Sequence, residues 1–406
     1  NSLTLTNGVI QTKDSVYTQY FTNNSGDTIS FNSLIVANQS GLSLSNGNWS
    51  LIRSLQVSSG GFDVSGANSF TLISNASTTA EILPSMEDAF TGEFTVQRHI
   101  SNRRANYSNQ SSPISDATVA DLDDEDDIII SGVGGNDGDI LLSDNSTFYS
   151  LFFFDAPNNQ HNSIQSTATT LPSAIGYELY LLTTPSYFNG ATIDYKGLPN
   201  NGSYSTPVYW RWNLVGNPYA SHIDYDLTSK HRSIKDEYMV FNSTTGTYDL
   251  FTGAGKPLIA PGQGFWVYSS ADYANGRPIN FDEDDKVSSS SSTFKRRKYI
   301  DPYFSLKINN NQNPFSHKMR LAFDPFATAE MDENDFPHLP SPIEEAPAIH
   351  SKATNSNEEL IVNSLNPIEE SQLIPVSIYA GVEGEYEISA DNLDALYENY
   401  SWVYLK

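Results

Sequence analysis

The chain has 406 residues, of which 17% are charged and 12% are aromatic. Its 48 acidic and 22 basic residues give a net charge of −26, which argues against nucleic acid as a partner because phosphate is also negative. It contains no cysteine, which excludes disulfides and thiolate metal sites. No apolar run is long enough for direct membrane insertion, and the first residues do not resemble a signal peptide. We therefore expect a mature chain or a fragment, with two or three domains.

Residues 1–90 are predicted to form a ladder of short strands. Apolar and polar residues alternate, as in Leu42–Ser45, which places one side chain in a core and the next in water. Turn pairs such as Asn7-Gly8 and Gly60-Gly61 recur, and equivalent strands are spaced roughly 20 residues apart, as in solenoids. We predict a short β-solenoid, with a meandering sandwich as the alternative. The predicted strands are Ser2–Thr6, Val9–Thr12, Thr28–Val36, Leu42–Ser45, Trp49–Val57, Gly61–Val64 and Ser69–Ser74.

Residues 91–282 are predicted to form a β-sandwich module, because their strands are longer and more aromatic. Short helical turns fit Ser115–Leu122 and Ile223–Thr228 only. The fold class is therefore all-β, a short solenoid followed by β-sandwich-like modules. The clearest strands are Phe94–Ile100, Ser146–Phe154, Tyr177–Thr183, Tyr209–Val215, Tyr238–Phe241 and Gly264–Tyr268.

Residues 283–298 are predicted to be a flexible linker of acids, serines and bases, which bury too little apolar surface to order. Residues 299–406 are predicted to form a C-terminal β-sandwich. Its expected strands are Tyr303–Ile308, His317–Phe323, Glu359–Val362, Leu373–Tyr379, Gly384–Ile388 and Trp402–Leu405.

Several phrases resemble the β-rich region that precedes the type IX secretion sorting domain in large surface and secreted proteins of Bacteroidota. They are Phe94–Ile100 with Arg103-Arg104 and Ser111–Pro113, Gly176–Tyr180 with Gly197 and Gly202, Trp212–Tyr219, and Ile259–Val267. The chain departs from the family pattern at Ala105-Asn106 and at Ala220. The resemblance implies export by type IX secretion and an extracellular or cell-surface location. It also implies that the C-terminal sandwich is incomplete and continues beyond Lys406.

An acidic run is the sharpest chemical feature of the sequence. Asp121, Asp123, Asp124, Asp126 and Asp127 supply hard oxygen ligands of the kind that Ca²⁺ prefers. A solvated acidic loop is the alternative. We predict no other cofactor: the seven histidines are scattered without the spacing of a catalytic zinc motif.

Two further kinds of site are candidates. Trp210, Trp266 and Tyr268 form a possible aromatic platform for surface glycans, with strand packing as the alternative. Ser15 and Thr28 each follow an aspartate, in short motifs similar to the O-glycan acceptors of this bacterial group.

The sequence favours a non-catalytic structural or adhesive module, such as a stalk, filament or appendage component. Its expected partners are other copies of itself or neighbouring domains of the same long chain, because a solenoid end is an unpaired edge. The alternative is a carbohydrate-binding accessory region of an extracellular hydrolase.

Overall fold

The computed structural model describes residues 9–12, 16–101, 107–123, 128–136, 138–181, 190–253, 256–289, 303–354, 356–367 and 373–394. They are almost entirely strands and turns, which confirms the predicted all-β class. The chain divides into two compact units. The first contains Asn1–Val240 and Gly255–Phe294, and the second contains Phe241–Ala254 and Lys295–Lys406.

The first unit begins with a β-solenoid of about four turns, as predicted. One parallel sheet has the order β1-β3-β5-β7-β10, with β8 beside β5, and the other has the order β2-β4-β6-β9. Their strands are β1 (Val9–Gln11), β2 (Gln19–Thr22), β3 (Ile29–Ala37), β4 (Leu42–Ser45), β5 (Asn48–Ser59), β6 (Phe62–Gly66), β7 (Ser69–Leu72), β8 (Glu81–Ile82), β9 (Phe90–Thr91) and β10 (Phe94–Ile100).

The solenoid is held by ladders of like residues. Parallel register pairs Ile29 with Trp49, and Trp49 with Phe70. The rings of Phe62 and Phe70 lie 5.2 Å apart edge to face, and both are buried. Apolar side chains therefore stack from turn to turn inside the coil, where burial stabilises each by roughly 1.5–3 kcal/mol.

The rest of the first unit consists of small antiparallel sheets. β15 pairs with β10 and so continues the solenoid sheet, while the other sheets have the orders β11-β14-β12-β13, β16-β23-β19, β17-β22-β20 and β18-β24. The strands are β11 (Tyr107–Gln110), β12 (Leu151–Asp155), β13 (Gln160–Ser163), β14 (Tyr177–Tyr180), β15 (Ala191–Gly197), β16 (Tyr204–Val208), β17 (Arg211–Gly216), β18 (His222–Ile223), β19 (Ser229–Lys230), β20 (Ile234–Asn242), β21 (Thr247–Phe251, in the second unit), β22 (Gly264–Ser269), β23 (Arg277–Phe281) and β24 (Lys286–Val287). Single 3-10 turns occur at Val119–Asp121, Ala156–Asn158 and Glu283–Asp285.

Two of the predicted domain boundaries, at residue 90 and at residues 283–298, can be compared with the structure. One apolar core runs from Phe31 to Ala220, so it continues across residue 90, and the division placed there stays a prediction. The predicted linker differs from the structure in its first part. Glu283–Asp285 form a 3-10 turn, β24 pairs with β18, and the Lys286 side chain is buried against Glu283. Residues 290–298 lie outside the described residues.

The second unit contains one sheet of seven strands, in the order β30-β28-β29-β26-β25-β31, with β27 beside β29. Phe304, Leu306, Met319 and Leu321 belong to its apolar core. The predicted strand Trp402–Leu405 lies outside the described residues. The strands are β25 (Tyr303–Asn310), β26 (Ser316–Phe323), β27 (Phe336–Pro337), β28 (Ala348–Lys352), β29 (Glu359–Leu365), β30 (Val376–Tyr379) and β31 (Tyr386–Asp391).

Candidate functional sites

The phrases that carry the family resemblance meet at a buried polar network of Asn200, Asn217, Tyr219, Glu283 and Lys286 in the first unit. Asn217 follows β17 and is fully buried. Its Nδ2 donates to the carbonyl oxygens of Ser221 at 2.8 Å and Ala260 at 2.9 Å, and its Oδ1 accepts the Tyr219 amide at 3.0 Å. One asparagine therefore joins the phrase Trp212–Tyr219 to the phrase Ile259–Val267.

The phrase that includes Ser111–Pro113 reaches the same network through Asn200, and the phrase that includes Gly202 reaches it through Tyr219. Asn200 Nδ2 donates to the carbonyl oxygens of Ser112 at 3.1 Å and Pro218 at 2.7 Å. Gly216 allows the close approach of these segments, because a Cβ there would lie 2.1 Å from Ser111 Oγ. The Tyr219 hydroxyl donates to the Gly202 carbonyl at 2.6 Å, and burial raises the pKa of Tyr219 so that it stays protonated.

A buried ion pair completes the network. Lys286 Nζ lies 2.7 Å from Glu283 Oε1 and 4.4 Å from the centre of the Tyr219 ring. Burial lowers the pKa of Lys286, and the Glu283 charge opposes that effect. The Glu283 carboxylate also accepts the backbone amides of Ser85 and Gly202, each at 2.9 Å. Both charges are thus used to hold chain segments together.

The predicted aromatic platform is not formed, which corrects that prediction for two of its three residues. Trp210 is 47% exposed, but Trp266 and Tyr268 are 1% and 3% exposed. Both lie on the same face of β22, and that face is covered: Trp266 packs edge to face on Phe154 at 4.8 Å, and Tyr268 packs on Trp212 at 5.3 Å. Buried rings cannot stack on a glycan.

The described part of the predicted calcium loop shows carboxylates engaged with backbone amides. Asp121 Oδ2 accepts the Thr118 amide at 2.7 Å and caps a 3-10 turn. Asp123 is buried, and its Oδ2 accepts the Asn136 amide at 2.8 Å. Asp124, Asp126 and Asp127 lie outside the described residues, so the calcium site stays a prediction.

The two predicted glycan acceptors are in different situations. Thr28 is exposed immediately before β3. Ser15 lies outside the described residues. Modification at either position stays a prediction.

The second unit brings together three ligand-type side chains that the sequence did not single out, here called the His–Glu cluster: His338, His350 and Glu359. One ligand atom from each lies within 4.8 Å of the other two. His338 Nδ1 is 3.5 Å from Glu359 Oε2, and His350 Nε2 is 3.1 Å from Glu359 Oε1. The two imidazole side chains are 5% and 8% exposed, whereas that of Glu359 is 43% exposed.

Strand register explains how the cluster forms. β29 carries Glu359 and pairs antiparallel with β28, which carries His350, and with β27, which immediately precedes His338. The His338 amide donates to the Glu359 carbonyl at 2.7 Å. His317, on β26, packs its ring edge to face on His338 at 4.9 Å.

The imidazoles of the cluster are neutral at pH 7. Burial lowers the pKa of His338 to about 4, and it also lowers the pKa of His350. Burial lowers the pKa of the adjacent His317 to about 3. Neutral imidazole is the form that binds metals, so the protonation state suits a ligand role.

A groove of about 430 Å³ lies in the second unit between β21 and β26 and includes Thr247, Phe251 and Arg320 in its lining. None of the described helices has the length and apolarity needed to cross a membrane. No known protein family, curated protein or solved structure matches this chain.

Proposed function

We propose that the chain is a non-catalytic structural or adhesive module of a large cell-surface or secreted protein, exported by type IX secretion. It spaces or presents other regions of that protein outside the cell. The phrases of the family resemblance support this role, since their polar side chains are used for internal hydrogen bonds in the buried polar network. Such residues fix the arrangement of strands rather than contact a substrate.

The observation that carries the proposal is the edge of the solenoid at the first turn that the structure describes. Within the described residues, neither β1 nor β2 has a strand partner on its outer side. The Gln19 and Asn23 amides point towards β4 and donate to the carbonyl oxygens of Gly41 and Ser45, respectively. By alternation, the Tyr20 amide points outward, and its side chain is 69% exposed. Another parallel strand can therefore add to this edge.

The partner that fits this edge is a second copy of the chain or a neighbouring domain of the same long protein. A solenoid turn of either would continue both parallel ladders. Val9, on β1, is 61% exposed at the same end and offers apolar contact to such a turn.

The assembly part of the proposal is tested by size-exclusion chromatography with light scattering, over a concentration series that starts at low micromolar. We expect the parent chain to self-associate. Tyr20→Pro removes the outward amide and Tyr20→Lys adds an edge charge, so both are expected to shift the chain towards monomer. Leu227→Lys is the matched control, because Leu227 is 54% exposed elsewhere in the first unit. A parent that stays monomeric throughout contradicts self-association.

The location is tested separately. An antibody raised against the purified chain is expected to label intact cells of the source bacterium. Labelling that requires permeabilised cells would contradict the extracellular proposal, whatever the oligomeric state.

A further inference from the structure

The His–Glu cluster joins three neighbouring strand segments through one carboxylate. Glu359 lies on β29 between His338 and His350, with one carboxylate oxygen directed at each imidazole. His338 Nδ1 is buried, and at 3.5 Å from Glu359 Oε2 it makes no well-formed hydrogen bond. A buried polar atom without such a bond is uncommon and needs an explanation, for which an ion is one of the standard candidates.

The spacing of the ligand atoms fits a small metal ion. Nitrogen and oxygen ligands bind tetrahedral zinc at about 2.0–2.2 Å, which places two such ligands roughly 3.3 Å apart. The two nitrogen-to-oxygen distances in the cluster, 3.5 Å and 3.1 Å, lie on either side of that separation. The three ligand atoms lie within 4.8 Å of one another, so side-chain rotations have to shorten the widest separation by up to about 1.5 Å to admit the ion.

We propose that His338, His350 and Glu359 bind one divalent transition-metal ion of the zinc class. Two imidazole nitrogens and one carboxylate oxygen favour such an ion over Ca²⁺ or Mg²⁺, which prefer oxygen ligands throughout. Three protein ligands leave a fourth position, which a water molecule can fill.

The ion cross-links the second unit. His338 follows the long segment between β26 and β27, while His350 and Glu359 lie on adjacent strands. A metal bond to each attaches that segment to the sheet in addition to the strand pairing between β27 and β29. Because the ligand set forms only in the folded chain, binding stabilises the second unit.

The experiment uses the full chain, stripped of metal with a chelator, and Zn²⁺ alone as the probe. Calorimetric titration is expected to give one high-affinity zinc per chain and a higher Tm for the second unit. His338→Ala, His350→Ala and Glu359→Gln are each expected to weaken binding at least about 100-fold. Glu359→Gln keeps the side-chain size almost unchanged at a partly exposed position. It therefore tests the contribution of the carboxylate to zinc binding even where a histidine variant fails to fold.

The first unit supplies a matched control. His161 Nδ1 lies 2.6 Å from Glu178 Oε2, a histidine–carboxylate pair with no third ligand group assigned to it within the described residues. His161→Ala is expected to bind zinc like the parent. Zinc binding that survives Glu359→Gln, or that is lost in His161→Ala, overturns the assignment. Equal binding of Ca²⁺ at the same concentration, or no zinc binding by the parent, overturns it as well.

Discussion

Asn217 is the residue whose replacement tests the buried polar network most directly. Its side chain donates to the Ser221 carbonyl and accepts the Tyr219 amide, and neither atom of Asn217 is exposed. Its other two partners, the carbonyls of Ala260 and Ile259, also accept the amides of Gln263 and Ile223, so each keeps one hydrogen bond when Asn217 is removed. Asn217→Ala therefore removes the asparagine hydrogen bond from two buried backbone groups, the Ser221 carbonyl and the Tyr219 amide.

The magnitude follows from those two groups. A buried polar group without a hydrogen bond costs about 1–3 kcal/mol, so Asn217→Ala is expected to lower the free energy of unfolding by about 2–6 kcal/mol. That is a large part of the roughly 5–15 kcal/mol that stabilises a typical domain. Asn217→Asp keeps the acceptor for Tyr219 but turns a negative oxygen towards carbonyl oxygens. We expect it to destabilise the protein at least as much as alanine does.

Urea unfolding followed by tryptophan fluorescence measures the loss of stability in the first unit. Four of the five tryptophans belong to the first unit, and Trp212 and Trp266 lie in the two strands next to Asn217. Asn24→Ala is the control, since Asn24 is exposed and accepts one surface hydrogen bond from Asn46. It should change stability by less than about 0.5 kcal/mol. A loss below about 1 kcal/mol for Asn217→Ala would refute the idea that the network organises the first unit.

Two other substitutions test the solenoid and the pH dependence. Gly60 has φ +70° and its Cβ would lie 2.1 Å from the Asn38 carbonyl oxygen, so Gly60→Ala is expected to cost more than about 2 kcal/mol in thermal or urea unfolding. Gly26→Ala, with φ +80° but open space, should cost only about 1 kcal/mol, and equal losses would contradict the steric argument. Burial raises the pKa of Asp285 from 3.8 to about 6, so its contribution to stability is full below pH 3.8 and is lost as the pH rises through 6. Asp285→Asn keeps an acceptor for the Asp282 amide and should remove this pH dependence. It should raise the free energy of unfolding at pH 7 by at most about 3 kcal/mol. An unchanged stability–pH profile would count against this prediction.

Local sequence was enough to predict the solenoid, because its alternation of apolar and polar residues is short-range. Leu42–Ser45 and Phe94–Ile100 have the predicted bounds. Gln19–Thr22 was missed, since Phe21 alone packs against the core there and a single inward residue gives no recognisable period. β15 was missed as well, although its Ile193 and Tyr195 are fully buried.

The faces of β22 show a different limit. Alternation correctly separates Phe265 and Val267 from Trp266 and Tyr268, but all four side chains are buried. Sequence period assigns residues to faces, whereas only tertiary packing decides whether one face or both are covered. That is why the aromatic platform was a reasonable but wrong interpretation of Trp266 and Tyr268.

The His–Glu cluster was beyond sequence reasoning for a geometric reason. Its members are separated by 12 and 9 residues, from His338 to His350 and from His350 to Glu359, with no helix to bring them onto one face. They meet only because β27 and β28 both pair with β29 at Leu360. The sequence predicted neither β27 nor β28 as a strand, so it gave no reason to place His338 or His350 beside Glu359.

The acidic excess has a structural use that composition does not reveal. Asp121, Asp285 and Asp335 each accept, at 2.7–2.9 Å, the backbone amide of the residue three positions earlier. Asp335 is 1% exposed and also accepts the Ser364 amide at 2.8 Å. A carboxylate in that position satisfies an amide at the start of a turn, which an aliphatic residue cannot do. Part of the charge of −26 therefore closes turns, and the acidic run after Thr118 begins with such a cap.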